Sequence, residues 1–190
     1  MRRATASEER SVQDGMARHG VFVRDVWVRP GEVANAWAPV RGRMWASEGF
    51  WTAPAWRQAA FLAHEAGHVR LRHVPWCMAL LVVVEAAQVP GRMALGPTAL
   101  ASPWGWGLSM AVIFAAQAVV LAGLVALGRW QEFAADRWAV EHGGIAGGKY
   151  KEHLALLPQL VTRGFANRLL ETHPSNERRI ERVRRGAAAA

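Results

Sequence analysis

Residues 61–73 read FLAHEAGHVRLRH and hold three histidines, the first two four positions apart, with a glutamate directly after the first. On a helix, positions i and i+4 share a face about one turn apart, so His64 and His68 can aim ring nitrogens at one point. Two imidazoles so placed suit a zinc ion, which lowers the pKa of a bound water to about 7 and polarises a carbonyl oxygen. Glu65 would then take a proton from that water and later hand it to a leaving amine. A solvated helix face with two ordinary histidines meets the same spacing, so the motif needs a third ligand before it is a site.

Cys77 is the only cysteine, which excludes an intramolecular disulfide and a cysteine-based zinc knuckle. The third ligand must therefore be His, Asp or Glu, with a fourth position left open for chemistry. Glu132 is the best candidate: it lies in a helical stretch, and Asp136 one turn later is placed to hydrogen-bond the far nitrogen of a ligand histidine. On spacing alone, Glu132 and Asp136 equally suit surface charges beside Arg129 and Arg137. His73 lies nine residues beyond His64, about 180° away on an ideal helix, so it is not expected to join the site. His19, His142 and His153 are likewise expected to be non-catalytic.

The elements that must position these groups follow from local signals. VFVRDVWVRP (21–30) is rich in β-branched and aromatic residues and stops at Pro30-Gly31, which predicts a strand. VRGRMWASEGFW (40–51) predicts a second, reached through a turn at Arg41-Gly42-Arg43. A helix is expected from Thr52, with Thr52 as cap and Pro54 in the first turn, through the two histidines to about His73. Further helices are expected over 129–142, closed by Gly143-Gly144, over 149–160, and over the basic stretch NERRIERVRR. Residues 1–20 lack an apolar run, so no secretory signal is expected and the segment reads as flexible.

The formal net charge is +8, carried almost wholly by arginine, and its distribution says more than its sum. Residues 1–73 hold 11 Lys/Arg, residues 74–128 hold only Arg92, and residues 129–190 hold 11. Basic ends around an uncharged middle favour a membrane over nucleic acid, for which no recognised binding motif exists. Residues 104–128 run 25 positions without a charge, enough to cross a hydrocarbon core of about 30 Å at about 1.5 Å per residue. Residues 76–90 form a shorter apolar segment, and Trp76, Trp104, Trp106 and Trp130 mark the segment ends as interfacial aromatics do. If Glu132 joins His64 and His68, the chain between them must cross the bilayer twice or not at all. Two apolar stretches joined at 90–103 supply two crossings, and the basic flanks place the catalytic part in the cytoplasm.

Four blocks, NAWAPVRGRMWASEGFW, AHEAGHVRLRH, EFAADRWA and THPSNERRIERV, resemble in order and style the membrane zinc metallopeptidases of the HtpX and CAAX-prenyl-protease type. The resemblance implies zinc ligation by His64, His68 and Glu132, Glu65 as general base, and Asp136 as the carboxylate behind a ligand histidine. It implies that His173 stabilises the tetrahedral oxyanion. It also implies that Asn35 and the Met44–Ser47 stretch, with Trp45 and Ala46, line a substrate cleft beside an edge strand. The many-span chamber of the prenyl proteases cannot be built from 190 residues, so prenyl-protein processing is not expected.

The expected fold is α+β and mainly helical. A small zincin-type domain (21–73 and 129–185) carries a two-helix transmembrane hairpin (74–128) between the His-Glu-x-x-His helix and the third-ligand helix. The expected function is that of a membrane-anchored endopeptidase with one Zn2+ per chain, cleaving membrane or misfolded proteins through a zinc-activated water with Glu65 as base. Its expected partners are a peptide substrate and the lipid bilayer, with no nucleic acid; oligomeric state is not legible. The alternative is a zincin-based membrane sensor that transmits a signal with restricted or no general proteolysis.

Overall fold

The computed structural model describes residues 1–40, 42–101, 103–158 and 173–188. The chain forms two compact units, one built from Met1–His73 with residues 130–158 and 173–188, the other from Val74–Arg129.

The first unit is a four-stranded sheet with helices on it. Strand β1 (Arg2–Arg3) pairs antiparallel with β2 (Asp25–Arg29), β2 pairs parallel with β4 (Arg43–Ser47), and β4 pairs antiparallel with β3 (Ala36–Val40). The order β1-β2-β4-β3 leaves β3 as an edge strand among the described residues. Strand periodicity sends alternate side chains to opposite faces, so Val26 and Val28 of β2 and Met44 and Ala46 of β4 are buried together. The sequence predicts one strand over 40–51 and no element over 36–39. The structure forms β3 ahead of Gly42, which adopts φ 77°, and ends β4 at Ser47.

Residues 1–20 are not a loose leader. Thr5 and Glu8 form a capping box that starts α1 (Ala6–Ala17), and Val12 and Met16 of that helix are buried in the sheet core. Thr52 does not cap the motif helix. It closes the short α2 (Glu48–Thr52), whose cap is Ser47, and donates its hydroxyl proton to Gly49 O at 3.1 Å. The motif helix α3 (Ala55–Arg70) begins after Pro54 and ends three residues before His73. Phe61, Leu62 and Ala66 on one side of α3 pack on the sheet. Ala60 and Ala63 on the other meet Ala139, Tyr150, Leu154 and Val183. Those partners come from α5 (Pro103–His142), α6 (Gly147–Ala155) and α7 (Asn176–Ala188). As expected, α5 closes at Gly143 and Gly144, the latter at φ 67°.

The second unit holds α4 (His73–Ala101), from Val74 on, and the first part of α5. Helix α4 continues past Pro90, where the sequence suggested a connection; its backbone is helical to Ala101. Prolines interrupt helices less in apolar surroundings, where neighbouring groups satisfy the freed carbonyls. Gln117 of α5 donates to Glu85 at 3.4 Å and to Gln88 at 3.3 Å, both on α4. Among the described residues one helix, Trp104–His142, is long and apolar enough to cross a membrane, and its most apolar stretch is almost entirely unburied. The apolar part of α4, His73–Ala86, is shorter than that measure, so the expected pair of spans reduces here to one candidate span.

Candidate metal centre

Helix α3 sets His64 and His68 one turn apart, with their Nε2 atoms 3.1 Å from each other. Glu132 on α5 faces both, its Oε2 at 3.5 Å from His64 Nε2 and its Oε1 at 3.5 Å from His68 Nε2. The three side chains each offer a ligand atom within 4.8 Å of the others. Ligands about 2.0–2.1 Å from a tetrahedral zinc stand roughly 3.3 Å apart, so the donor set fits zinc in type and in spacing. The two helices come this close because of Gly67: a Cβ there would meet Ala135 Cα and O at 3.2 Å.

Behind the first histidine lies a buried ionic cluster. His64 Nδ1 faces Asp136 Oδ1 at 3.0 Å and the Tyr150 hydroxyl at 3.2 Å. Tyr150 donates to Asp136 Oδ1 at 2.8 Å. Arg179 of α7 grips the same carboxylate with two bonds, Nε to Oδ2 at 2.8 Å and NH2 to Oδ1 at 2.6 Å, and reaches Glu132 Oε2 with NH1 at 3.4 Å. Burial alone would push the His64 imidazolium down, but hydrogen bonds to Asp136 and Glu132 outweigh it and hold the pKa up at about 10. The cage therefore favours positive charge at its centre, and a divalent cation would release the proton that this charge balance retains. Burial followed by the Asp136 charge pushes Tyr150 well above its ordinary value, so it stays a neutral donor. Arg179 is pushed up despite burial because Asp136 binds its charge.

Of the residues singled out from sequence, His64, His68, Glu132 and Asp136 meet here, and Glu65 is buried on the same turn of α3. His173, just before α7, sits 3.2 Å from Glu132 Oε1 through its Nδ1 and is exposed; the same hydrogen bond pushes its pKa up against burial. The cleft residues lie differently from their expected setting. Trp45 and Ala46 are on β4, an inner strand, with Ala46 fully buried; the open edge belongs to β3. Asn35 turns its amide oxygen to Ala36 N at 2.9 Å and its backbone N–H to Ser47 Oγ at 2.8 Å, anchoring the start of β3.

Three residues of the cluster were not read from the sequence. Tyr150, the only tyrosine, and Arg179, inside an arginine-rich helix, carry no local spacing signal that ties them to the motif. His73 was set aside on helical angle, but α3 ends at Arg70, and Arg72 at φ 54° turns the chain back. His73 Nδ1 ends 2.8 Å from His68 Nδ1. Burial, then the neighbouring His68, pushes His73 down to about 4, so it is a neutral imidazole. His19 and His142 pack on Trp138, and His153 packs edge-on against Phe61.

Fold and site together define an α+β domain, mainly helical, whose central helix and a second helix bring together a His-His-Glu cluster able to hold a metal ion. The sequence profile of peptidase family M48 matches residues 10–187, and the chain belongs to that family of zinc metallopeptidases. The resemblance carried by the four sequence blocks is thus borne out. The crystal structure of S. mikatae Ste24p is similar, with a TM-score of 0.66 at 14% identity, covering 92% of this chain and 49% of that one. The chain spans about half the length of that protein, and the likeness is one of fold. No curated protein matches the chain.

Proposed function

We propose that this chain is a membrane-anchored endopeptidase that hydrolyses peptide bonds of membrane or misfolded proteins. The observation that carries the reading is the near-tetrahedral spacing of His64, His68 and Glu132, with Glu65 on the same helix turn. Zinc bound there supplies a water of pKa about 7 and an electrophile for the carbonyl oxygen. The chain's own residues do the rest. Glu65 would accept a proton from the attacking water and pass it to the departing nitrogen, so the C–N bond breaks to a neutral amine and a carboxylic acid, which then gives its remaining proton to solvent. His173, beside Glu132 and open to solvent, donates to the developing oxyanion; removing such a donor costs about 2.7–4 kcal/mol of barrier. Asp136, Arg179 and Tyr150 hold the His64 ring, and the free edge of β3 pairs with an extended substrate backbone.

Membrane anchoring is supported by the apolar, unburied stretch of α5 and by exposed Trp76, Trp104, Trp106 and Trp130. The basic flanks favour a cytoplasmic centre, and the shared site of His64, His68 and Glu132 requires an even number of crossings between them. The test is purification in detergent, assay of bound zinc, and casein cleavage by the zinc-loaded chain and by Glu65→Gln. Glu65→Gln should keep the metal and lose the cleavage. A zinc-loaded unmodified chain inert toward unfolded and membrane-protein substrates alike would sink the reading.

A further inference from the structure

We propose that His73 is a positioning residue of the metal centre: its Nδ1 accepts the Nδ1 proton of His68 and so fixes which nitrogen of His68 faces the ion. The inference rests on the metal reading above and deepens it.

A neutral imidazole has one bare nitrogen and one that carries a proton, and only the bare one binds metal. His68 directs Nε2 toward His64 Nε2, 3.1 Å away, and Glu132 Oε1, 3.5 Å away, so Nε2 is the atom that an ion held by these three residues would meet, and it must be bare when the ion is bound. Its proton then sits on Nδ1. That atom lies 2.8 Å from His73 Nδ1, a hydrogen-bond distance that two bare or two protonated nitrogens would not hold. His73 therefore takes the opposite tautomer, bare at Nδ1 and protonated at Nε2.

The arrangement is built rather than incidental. His73 is 2% exposed, so water does not compete for the bond. Arg72 adopts a left-handed backbone, uncommon for a residue with a long side chain, in the turn that brings His73 back toward its partner. Gln131, next to Glu132, donates to His73 O at 3.2 Å, which ties the residue to the helix carrying the third ligand. His73 Nε2 is buried without a partner among the described residues. The two ligand histidines are thus held differently: His64 by a carboxylate, a phenol and a guanidinium, His68 by a neutral ring.

The experiment compares zinc affinity of the purified chain with that of His73→Leu and His73→Asn by competition with a chromogenic chelator, a readout independent of cleavage. Asparagine places an amide oxygen near the position of Nδ1 and can accept the same proton; leucine cannot. Groups behind metal ligands typically carry about 10–100-fold in affinity. His73→Leu should weaken zinc by that factor and His73→Asn should stay within a few-fold of the unmodified chain. If His73→Leu fails to fold, nitrogen-15 spectra of the zinc-loaded unmodified chain decide: His68 must show a protonated Nδ1 and a metal-bound Nε2. Unchanged affinity in His73→Leu, equal loss in both variants, or His68 bound through Nδ1 each overturn the proposal. An unmodified chain that takes up no zinc sinks the metal reading itself, an outcome distinct from tight binding indifferent to residue 73.

Discussion

Arg179 shows what a single residue contributes at this centre. Its guanidinium is buried, bonds Asp136 twice and touches Glu132, so it offsets two largely buried carboxylates. Arg179→Ala leaves that charge unmatched, and breaking a buried pair from one side costs about 3–5 kcal/mol. Arg179→Lys should recover little, because an ammonium cannot reproduce the planar fork. Denaturant melts of the metal-free chain should show both losses, and zinc should restore part of them by returning positive charge to the cage. Titration gives a second expectation. His73 and His153 have folded pKa values pushed down to about 4 and about 3, each by burial first. With an unfolded value near 6.5, each takes up a proton on unfolding, so stability present above pH 6.5 drains as acid is added toward those values. His64 runs the other way: held up at about 10, its contribution is full below pH 6.5 and lost as pH rises through about 10. Between pH 6.5 and 5, before carboxylates titrate, the metal-free chain should lose stability on acidification. His153→Leu should remove about one proton from that slope, and an unchanged slope would contradict the assignment. The site residues legible in the sequence are those whose spacing repeats a helix turn, His64 with His68 and Glu132 with Asp136. Arg179 and Tyr150 reach the cluster only through tertiary folding, and His73 was misjudged because an angle counted along an ideal helix ignores a break at Arg72.

At the scale of elements, the centre depends on how closely α3 and α5 approach. Gly67 lies where a methyl group would press on the backbone of Ala135, between Glu132 and Asp136 in sequence. Backbone yields less readily than a flexible side chain, so Gly67→Ala should move the Glu132 turn by a few tenths of an ångström. Zinc affinity should fall on the order of tenfold with helical content unchanged, measured by chelator competition and circular dichroism. The edge strand carries its own expectation. If β3 binds substrate by main-chain pairing, N-methylation at alternate peptide bonds of a good substrate should raise KM where the methyl removes a paired N–H, and leave it unchanged at the intervening bonds. Equal effects at all positions would count against strand addition. The helices were easier to foresee than the strands. Their caps and glycine stops are local, as at Gly143 and Gly144, whereas the sheet places β4 between β2 and β3 through long-range pairing that no single strand encodes. Trp45 and Ala46, expected to line a cleft beside an edge strand, lie on β4, which pairs directly with the edge strand β3.

At the scale of the molecule, connectivity constrains what the apolar segments can do. The histidines precede Val74 and Glu132 follows Arg129, yet their ligand atoms cluster, so both flanks of the apolar unit lie on one side of any bilayer. The uncharged 104–128 stretch of α5 is about 37 Å long at about 1.5 Å per residue, sufficient for a hydrocarbon core of about 30 Å. If that stretch crosses, the chain must cross once more before it, and α4, with 29 residues and about 43 Å of length, is the segment available. The polar contacts of Gln117 with Glu85 and Gln88 would then hold the two helices together inside an apolar medium, where such bonds contribute about 0.6–2 kcal/mol each. The expectation is checked in a chain with Cys77→Ser as background, carrying Thr98→Cys in one version and Arg185→Cys in another. With the basic flanks in the cytoplasm, a membrane-impermeant maleimide should label Thr98→Cys on intact cells and Arg185→Cys only after permeabilisation. Labelling of Arg185→Cys on intact cells, with Thr98→Cys protected until permeabilisation, would invert the orientation and keep the hairpin, whereas labelling of both from outside would rule the hairpin out. Labelling of neither until the membrane is opened would mean that α4 and α5 do not cross as a pair, and the active centre would then be anchored to one leaflet instead.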